Sequence, residues 1–304
     1  KAVMPVSAAV AGIGTAAAVS AVNFEDAMAK VSTIADTTEV PLDSLRSQIL
    51  ELSSQTSISA NEIADNVYNA ISAGQKTGDA VNFVTNSTKL AKAGFADAGA
   101  ALDVLTTILN AYGMEASEVT NVSDMLIQTQ NLGKTTVAEL SSSMGKVIPT
   151  ANAYHVQLDQ LCAGYAKMTA NGVATAESTT YMNSMLNELG KRGTTVSDIL
   201  KEKTGKSFAE LMENGASLAD VLSILKESAD EQNLSFGDLW SSAEAGKAGL
   251  ILLGDSAEGF NGTLAQMRES TGATDSAFEK LQTNSSKINK AVNAVKNTFI
   301  ILGG

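Results

Sequence analysis

Apolar residues return every three or four positions through most of this chain, the spacing that gathers them on one face of an α-helix. Leu45, Ile49 and Leu52 follow it, as do Ile63, Val67, Ala70 and Ile71, then Leu102, Leu105, Leu109 and Tyr112, and later Leu218, Val221, Leu222 and Leu225. Sustained alternation with a period of two, the mark of a half-buried strand, is hard to find. The run from Leu250 to Leu253 is too short to choose between strand and helix. The pattern predicts an all-α protein, a compact multi-helix domain of short helices.

Start and stop signals agree with it. Ser59 and Glu62 have capping-box spacing, with Ile58 and Ile63 placed as a hydrophobic staple around them, and Thr136 with Glu139 repeats the box. Ser217 with Asp220 and Ser235 with Asp238 are weaker, Asp-containing versions. Gly74, Gly94, Gly113 and Gly133 arrive roughly every twenty residues, as left-handed caps do when helices of about fifteen residues are joined by short turns. The stretches between these glycines match no repeat signature, so a single helical body is expected and not an array. Only Pro5, Pro41 and Pro149 interrupt the 304 residues.

Two regions differ in texture. Between about Gly190 and Gly246 short, more charged, well-capped segments are punctuated by Gly193, Gly205, Gly215 and Gly237. Near the end, Phe278, Leu281, Ser285, Ile288, Val292, Val295, Phe299 and Leu302 step by three and four with no Gly or Pro between them. This predicts a longer C-terminal helix with a heptad seam over about three heptads. Glu279, Lys280, Lys287 and Lys290 lie off the seam, as a solvated face requires, and the flanking positions lack the paired charges of a dedicated zipper. Phe278, Leu281, Ile288, Val292, Val295, Phe299 and Leu302 are therefore candidates either for self-association or for packing on their own domain. The expected divisions are 1–23, an Ala-rich apolar helix ending an upstream region; 24–192, a helical core; 193–246, a subdomain or insertion; and 247–304, the rest of the core with the heptad helix. A start at Lys1 and a stop just after an apolar run read as a piece of a longer protein.

Composition narrows the function classes. With 44% hydrophobic residues the chain has material for a real core, although aromatics are only 5% and Trp240 is the single tryptophan. The formal net charge of -12 argues against tight nucleic-acid binding, which rests on neutralising phosphates with Lys and Arg. Cys162 is the one cysteine and His155 the one histidine; neither an internal disulfide nor an ordinary soft-ligand metal set is available. On one helix their seven-residue separation is about 10 Å along the axis, too far for a Cys/His nucleophile pair. Carboxylates are numerous but scattered, with no local constellation of the glycosidase kind. No cofactor is expected.

Residues 2–23 carry no charge, which raises a membrane segment or a leader. Val6, Val10, Ile13, Val19 and Val22 are diluted by small residues, and no basic n-region precedes them. The loose dinucleotide pattern Gly12-Ile13-Gly14-Thr15-Ala16-Ala17 lacks the strands that must flank it. Ala8, Gly12 and Ala16, four apart, read better as a stripe that lets helices approach closely. Val6, Val10, Gly12, Ile13, Ala16, Val19 and Val22 are the candidate membrane or helix-packing segment.

Several stretches, taken in order, resemble the core region of the phage tail tape measure, or minor tail, protein family. They are Phe24-Glu25-Asp26-Ala27-Met28 with Val31; Ser59, Glu62 and Ala70 to Gly74; Leu105 to Gly113; Thr136, Glu139, Leu140, Met144 and Gly145 to Pro149; Gly262-Thr263-Leu264; and Gly272 to Phe278. The likeness spans roughly Phe24 to Leu302 and rests on packing and capping residues, 193–246 being its least characteristic part. It implies a structural protein that helps set tail length during assembly, sits inside the tail tube as a homotrimer, meets tail tube and tail tip proteins, and leaves ahead of DNA at ejection. Contact with the host membrane or envelope after ejection is a further implied partner. The alternatives are a membrane-active helical protein that forms a channel in the host envelope, and a wall-degrading tail enzyme.

Overall fold

The computed structural model describes residues 6–254, 257–282 and 284–303, with side chains from residue 19 onward except at 257, 284, 285 and 303. Every regular element among the described residues is helical. The α-helices in chain order are α1 (Val6–Ser32), α2 (Leu42–Gln55), α3 (Ala60–Ser72), α4 (Thr77–Ala93), α5 (Ala98–Tyr112), α6 (Val119–Leu132), α7 (Val137–Ser143), α8 (Ile148–Ala153), α9 (Leu158–Ala170), α10 (Thr175–Gly190), α11 (Thr195–Thr204), α12 (Phe208–Glu213), α13 (Leu218–Glu231), α14 (Ala243–Leu253), α15 (Ala257–Arg268), α16 (Ala273–Lys280) and α17 (Asn284–Gly303). Short 3-10 turns precede α6, α8 and α14. The ambiguous run Leu250 to Leu253 is helical, within α14.

The chain forms two units, Lys1–Thr88 with Phe278–Gly304, and Lys89–Ala277. In the first, α1, α2, α3 and α17 pack on one another. Phe24, Met28 and Val31 from α1 meet Leu45, Ile49, Ile63 and Val67 in burial, each nearly or fully shielded; a side chain of this size contributes about 1.5–3 kcal/mol when withdrawn from water. In the second, α9 and α10 are central: α9 packs on α6, α14 and α15, and α10 on α7, α8, α11 and α14. These units divide the chain at other points than the sequence suggests. Helix α1 runs through 23 and 24 without a break, and 193–246 lies wholly inside the second unit.

Two polar side chains, Gln160 buried and Glu188 half-buried, fasten that stretch. The Gln160 amide on α9 donates to Ala216 O at 3.1 Å and accepts from Leu218 N–H at 2.8 Å. Glu188 at the end of α10 accepts from the N–H groups of Ser241 and Ser242 at 2.7 and 2.9 Å, at the start of α14. Both satisfy backbone groups that a loop cannot pair by itself.

Helix ends follow one geometry. At seven of them among the described residues a backbone N–H reaches back five residues, as in Met114 to Leu109 and Val173 to Met168, the bond of the Schellman motif. The motif needs a left-handed residue, and Gly74 and Gly113 supply it as expected. Gly94 and Gly133 do not; Gly133 is extended at φ -111°, and the left-handed place after α4 is taken by Phe95 at φ 56°. Their physical reason is space: a Cβ on Gly94 would overlap the Val137 side chain, and one on Gly133 would overlap the Thr169 hydroxyl.

Two further expectations are corrected. Ser59 occupies the N-cap of α3, but its hydroxyl caps nothing, so the box with Glu62 does not form; Thr136 with Glu139 and Ser217 with Asp220 do form theirs, and Ser207 with Glu210 forms a further one. The last helix is also interrupted. Helix α16 stops at Lys280, Leu281 and Gln282 N–H groups close tight turns onto Phe278 and Glu279, and α17 begins at Asn284. Thr, Asn and Ser in succession favour such a break, because their side chains compete for backbone bonds and suit caps better than helix interiors.

Candidate interaction surface

Helix α17 is amphipathic in the reverse sense to an ordinary core helix. Its residues that face α1 and α2 are Asn293, Asn297 and Ile300, spaced four and three, and all three are buried. The Asn293 amide donates to Ile58 O at 2.8 Å and Ser53 O at 3.3 Å, and the Asn297 amide to Leu50 O at 2.9 Å and the Ser54 hydroxyl at 3.0 Å. Ser57 and Ser286 hydroxyls pair at 3.1 Å. Two asparagines four apart thus bond carbonyls in and just beyond the C-terminal half of α2 and fix how α17 lies. The cost of leaving such groups dry and unpaired, about 1–3 kcal/mol each, is what makes polar side chains serve on an inward face.

The opposite face carries the seam. Ile288 is 63% exposed and Leu302 78%, with Val292, Val295 and Phe299 near half exposed between them. Their spacing is four, three, four, three, so they occupy two heptad positions on one line. Phe278 lies on α16 and Leu281 in the turn after it, so of the seven sequence candidates only the other five form the continuous line on α17. The Lys290 ammonium sits 5.8 Å from the Phe278 ring centroid.

Beside the seam, α1, α2 and α17 border an open groove of about 790 Å³ with Leu50, Ile300 and Ile301 among its apolar lining and Asp43, Glu51 and Glu25 among its acidic lining. Arg46 forks onto Glu25, one of the two bonds being 2.7 Å. That hydrogen bond holds the Glu25 carboxyl below its ordinary value and the Arg46 guanidinium above its own, leaving Asp43 and Glu51 as the carboxylates of the groove that no lysine or arginine pairs among the described residues. The described side chains of α17 include Lys287, Lys290 and Lys296 and no carboxylate.

The N-terminal candidates divide. The side chains of Val6, Val10, Gly12, Ile13 and Ala16 lie outside the described residues, although their backbone belongs to α1; Val19 and Val22 are exposed. No helix among the described residues is long and apolar enough to cross a membrane. His155 is the left-handed residue that closes α8 at φ 59°, whereas Cys162 is fully buried on α9, so the two are not on one helix. Burial pushes the Cys162 thiol up to about 12, the opposite of what a nucleophile needs. Trp240 is a core residue, its ring edge-on to Phe236 with centroids 5.8 Å apart. No three metal-capable acidic, His or Cys side chains gather among the described residues.

The asparagine latch was not legible in the sequence, because Asn293 and Asn297 fall where a solvated face is the ordinary expectation for a heptad helix.

The chain matches the family described as phage-related minor tail protein over residues 46–239. It is similar to the probable tape measure protein of Clostridium phage phiCD119, 39% identical over 307 residues that cover 97% of this chain and 32% of that protein. It is similar also to the tape measure protein of Pneumococcus phage Dp-1, 23% identical over 286 residues, 92% of this chain and 25% of that protein. The chain thus spans about a third and a quarter of these relatives' lengths. No solved structure matches it.

Proposed function

Because the chain belongs to the family of phage-related minor tail proteins, we propose that it is the packed, folded part of a tape measure protein: a structural tail component, not an enzyme, that sits in the tail tube, takes part in setting tail length and leaves ahead of the genome. The likeness to a probable tape measure protein along 97% of the chain carries this reading. Its fold refines the role. As one continuous helix 304 residues would reach on the order of 450 Å at 1.5 Å per residue, but here the caps fold the chain back after every few turns. Length is measured by the parent protein's other regions, and this part contributes a packed body. The net charge of -12 suits a component that must not adhere to DNA in a shared channel.

The test is tail length in a phage that encodes this protein. An in-frame duplication of residues 89–277 would lengthen the tail by about 280 Å if those residues measured as extended helix; the expected gain is a small fraction of that, read by electron microscopy. Lengthening in full proportion would overturn the packed-part reading. Absence of the chain from purified tails would overturn the tail reading itself.

A further inference from the structure

We propose that the valley between α2 and α17 is a docking groove for a basic amphipathic helix of another protein. The inference goes beyond the tail-component reading and does not rest on it. The groove, of about 790 Å³, falls in the range of about 300–1,000 Å³ over which pockets enclose a ligand, and its form suits a helix. Its lining positions on α2 run from 43 to 54 and return every three or four residues, and those on α17 run from 294 to 301 in the same way. Each set is thus one stripe of a helix, the α2 stripe being about 16 Å long at 1.5 Å per residue. A valley between two packed helices takes a third by ridges entering grooves, and about three turns of it would lie along α2. The walls are set beforehand: Asn293 and Asn297 fasten α17 to carbonyls of Leu50, Ser53 and Ile58, so docking orders little of this chain.

The chemistry of the lining selects the occupant. Leu50 and Ile300 lie deep and Ile301 stands out at 66% exposed, apolar surface that calls for apolar side chains in return. Arg46 is the one basic residue of the lining among the described residues, and Glu25 occupies it, so an incoming partner meets the carboxylates of Asp43 and Glu51. A nucleic acid, an anionic lipid head group or an acidic peptide finds no free cation there, and approaches a chain of net charge -12. A helix with apolar residues at i, i+3, i+4 and i+7, flanked by Lys or Arg, matches both the apolar surface and the acidic rim.

The probe is a fluorescent peptide of about 18 residues, long enough to hold a helix, with leucines at that spacing on one face and lysines on the other. Its anisotropy is followed as the purified 304-residue chain is added, at about 0.15 M salt so that diffuse attraction is screened. The expected result is saturable one-to-one binding below about 100 µM, as a short contact gives. Binding should weaken about tenfold or more in D43N/E51Q, which removes the rim charges, and in A294W, which fills the groove with no change of charge. All three positions are exposed, so circular dichroism of these variants stays as in the parent. E213Q/E227Q removes the same charge at exposed positions outside the lining and should bind as the parent does. Binding that never saturates, that survives both groove variants, or that falls as far in E213Q/E227Q overturns the proposal. So does a doubled mass in sedimentation that A294W abolishes, which would assign the groove to a second copy. None of these results alters the tail-length outcome, so the two readings fail separately.

Discussion

Single residues show where this fold spends strain and where it needs empty space. Phe95 holds a left-handed conformation at φ 56° while its ring is 67% exposed, so it bears the steric penalty of an L side chain there and recovers little by packing. Phe95→Gly should therefore stabilise the protein by about 1 kcal/mol, seen as a higher urea midpoint with unchanged slope; a lower midpoint would mean the ring makes contacts that outweigh the strain. Gly94 poses the opposite problem. Its neighbour Val137 is fully buried, and a methyl at 94 would overlap it, so Gly94→Ala should cost about 1–3 kcal/mol. In the double variant with Val137→Ala the two costs should fall short of their sum, because the smaller side chain makes room. Strict additivity would refute the overlap. Both glycine and phenylalanine lie in one turn after α4, and sequence alone points to the glycine, the residue that most easily adopts a left-handed conformation.

At the scale of elements, several helices begin on side chains supplied from elsewhere. Asp124 of α6 is 2% exposed, and its carboxylate accepts from Gly272 N–H at 2.7 Å and Thr274 N–H at 2.8 Å, at the start of α16. These are orphan donors that a local Ser or Asp would ordinarily take, and the negative charge also suits the positive end of the helix. Asp124→Ala should cost about 2 kcal/mol, with Asp124→Asn between it and the parent, and amide exchange at 272 and 274 should quicken in both. Unchanged exchange would show that the carboxylate is not the cap. A local rule found the boxes at Thr136 and Ser217, because three residues of sequence contain both partners. It could not find Asp124, whose partners are more than 140 residues away. Asp220 illustrates the local kind: burial pushes its carboxyl up, but bonds from Ser217 and Asn261 outweigh that and leave it below 3.8. Its contribution to stability is thus present above the ordinary value of 3.8 and is lost as pH falls through the lower folded value.

For the whole molecule, charge and similarity bear on use. The formal net charge of -12 predicts no retention of duplex DNA in a mobility-shift assay at about 0.1 M salt, where affinity depends on neutralised phosphates. Salt-sensitive submicromolar retention would undo the view that this part travels ahead of the genome without holding it. Family membership was legible because the residues that carry it are spread in order from Phe24 to Phe278, and several of them, Phe24, Met28, Val31, Leu105, Leu109, Leu140 and Met144, are buried in the cores.

The chain alone determined that it is helical, roughly where most helices start and stop, and which residues are apolar at helical spacing, since these are matters of neighbours three and four apart. It also determined the charge, and with it the partners that charge disfavours. Only the tertiary structure decided which face of α17 is turned inward: hydrophobic periodicity marks a seam, but hydrogen bonds to carbonyls in and just after α2, some 240 residues away, hold the asparagines inward and leave the apolar side to water. Burial is a property of what lies opposite a helix, and no local spacing records that.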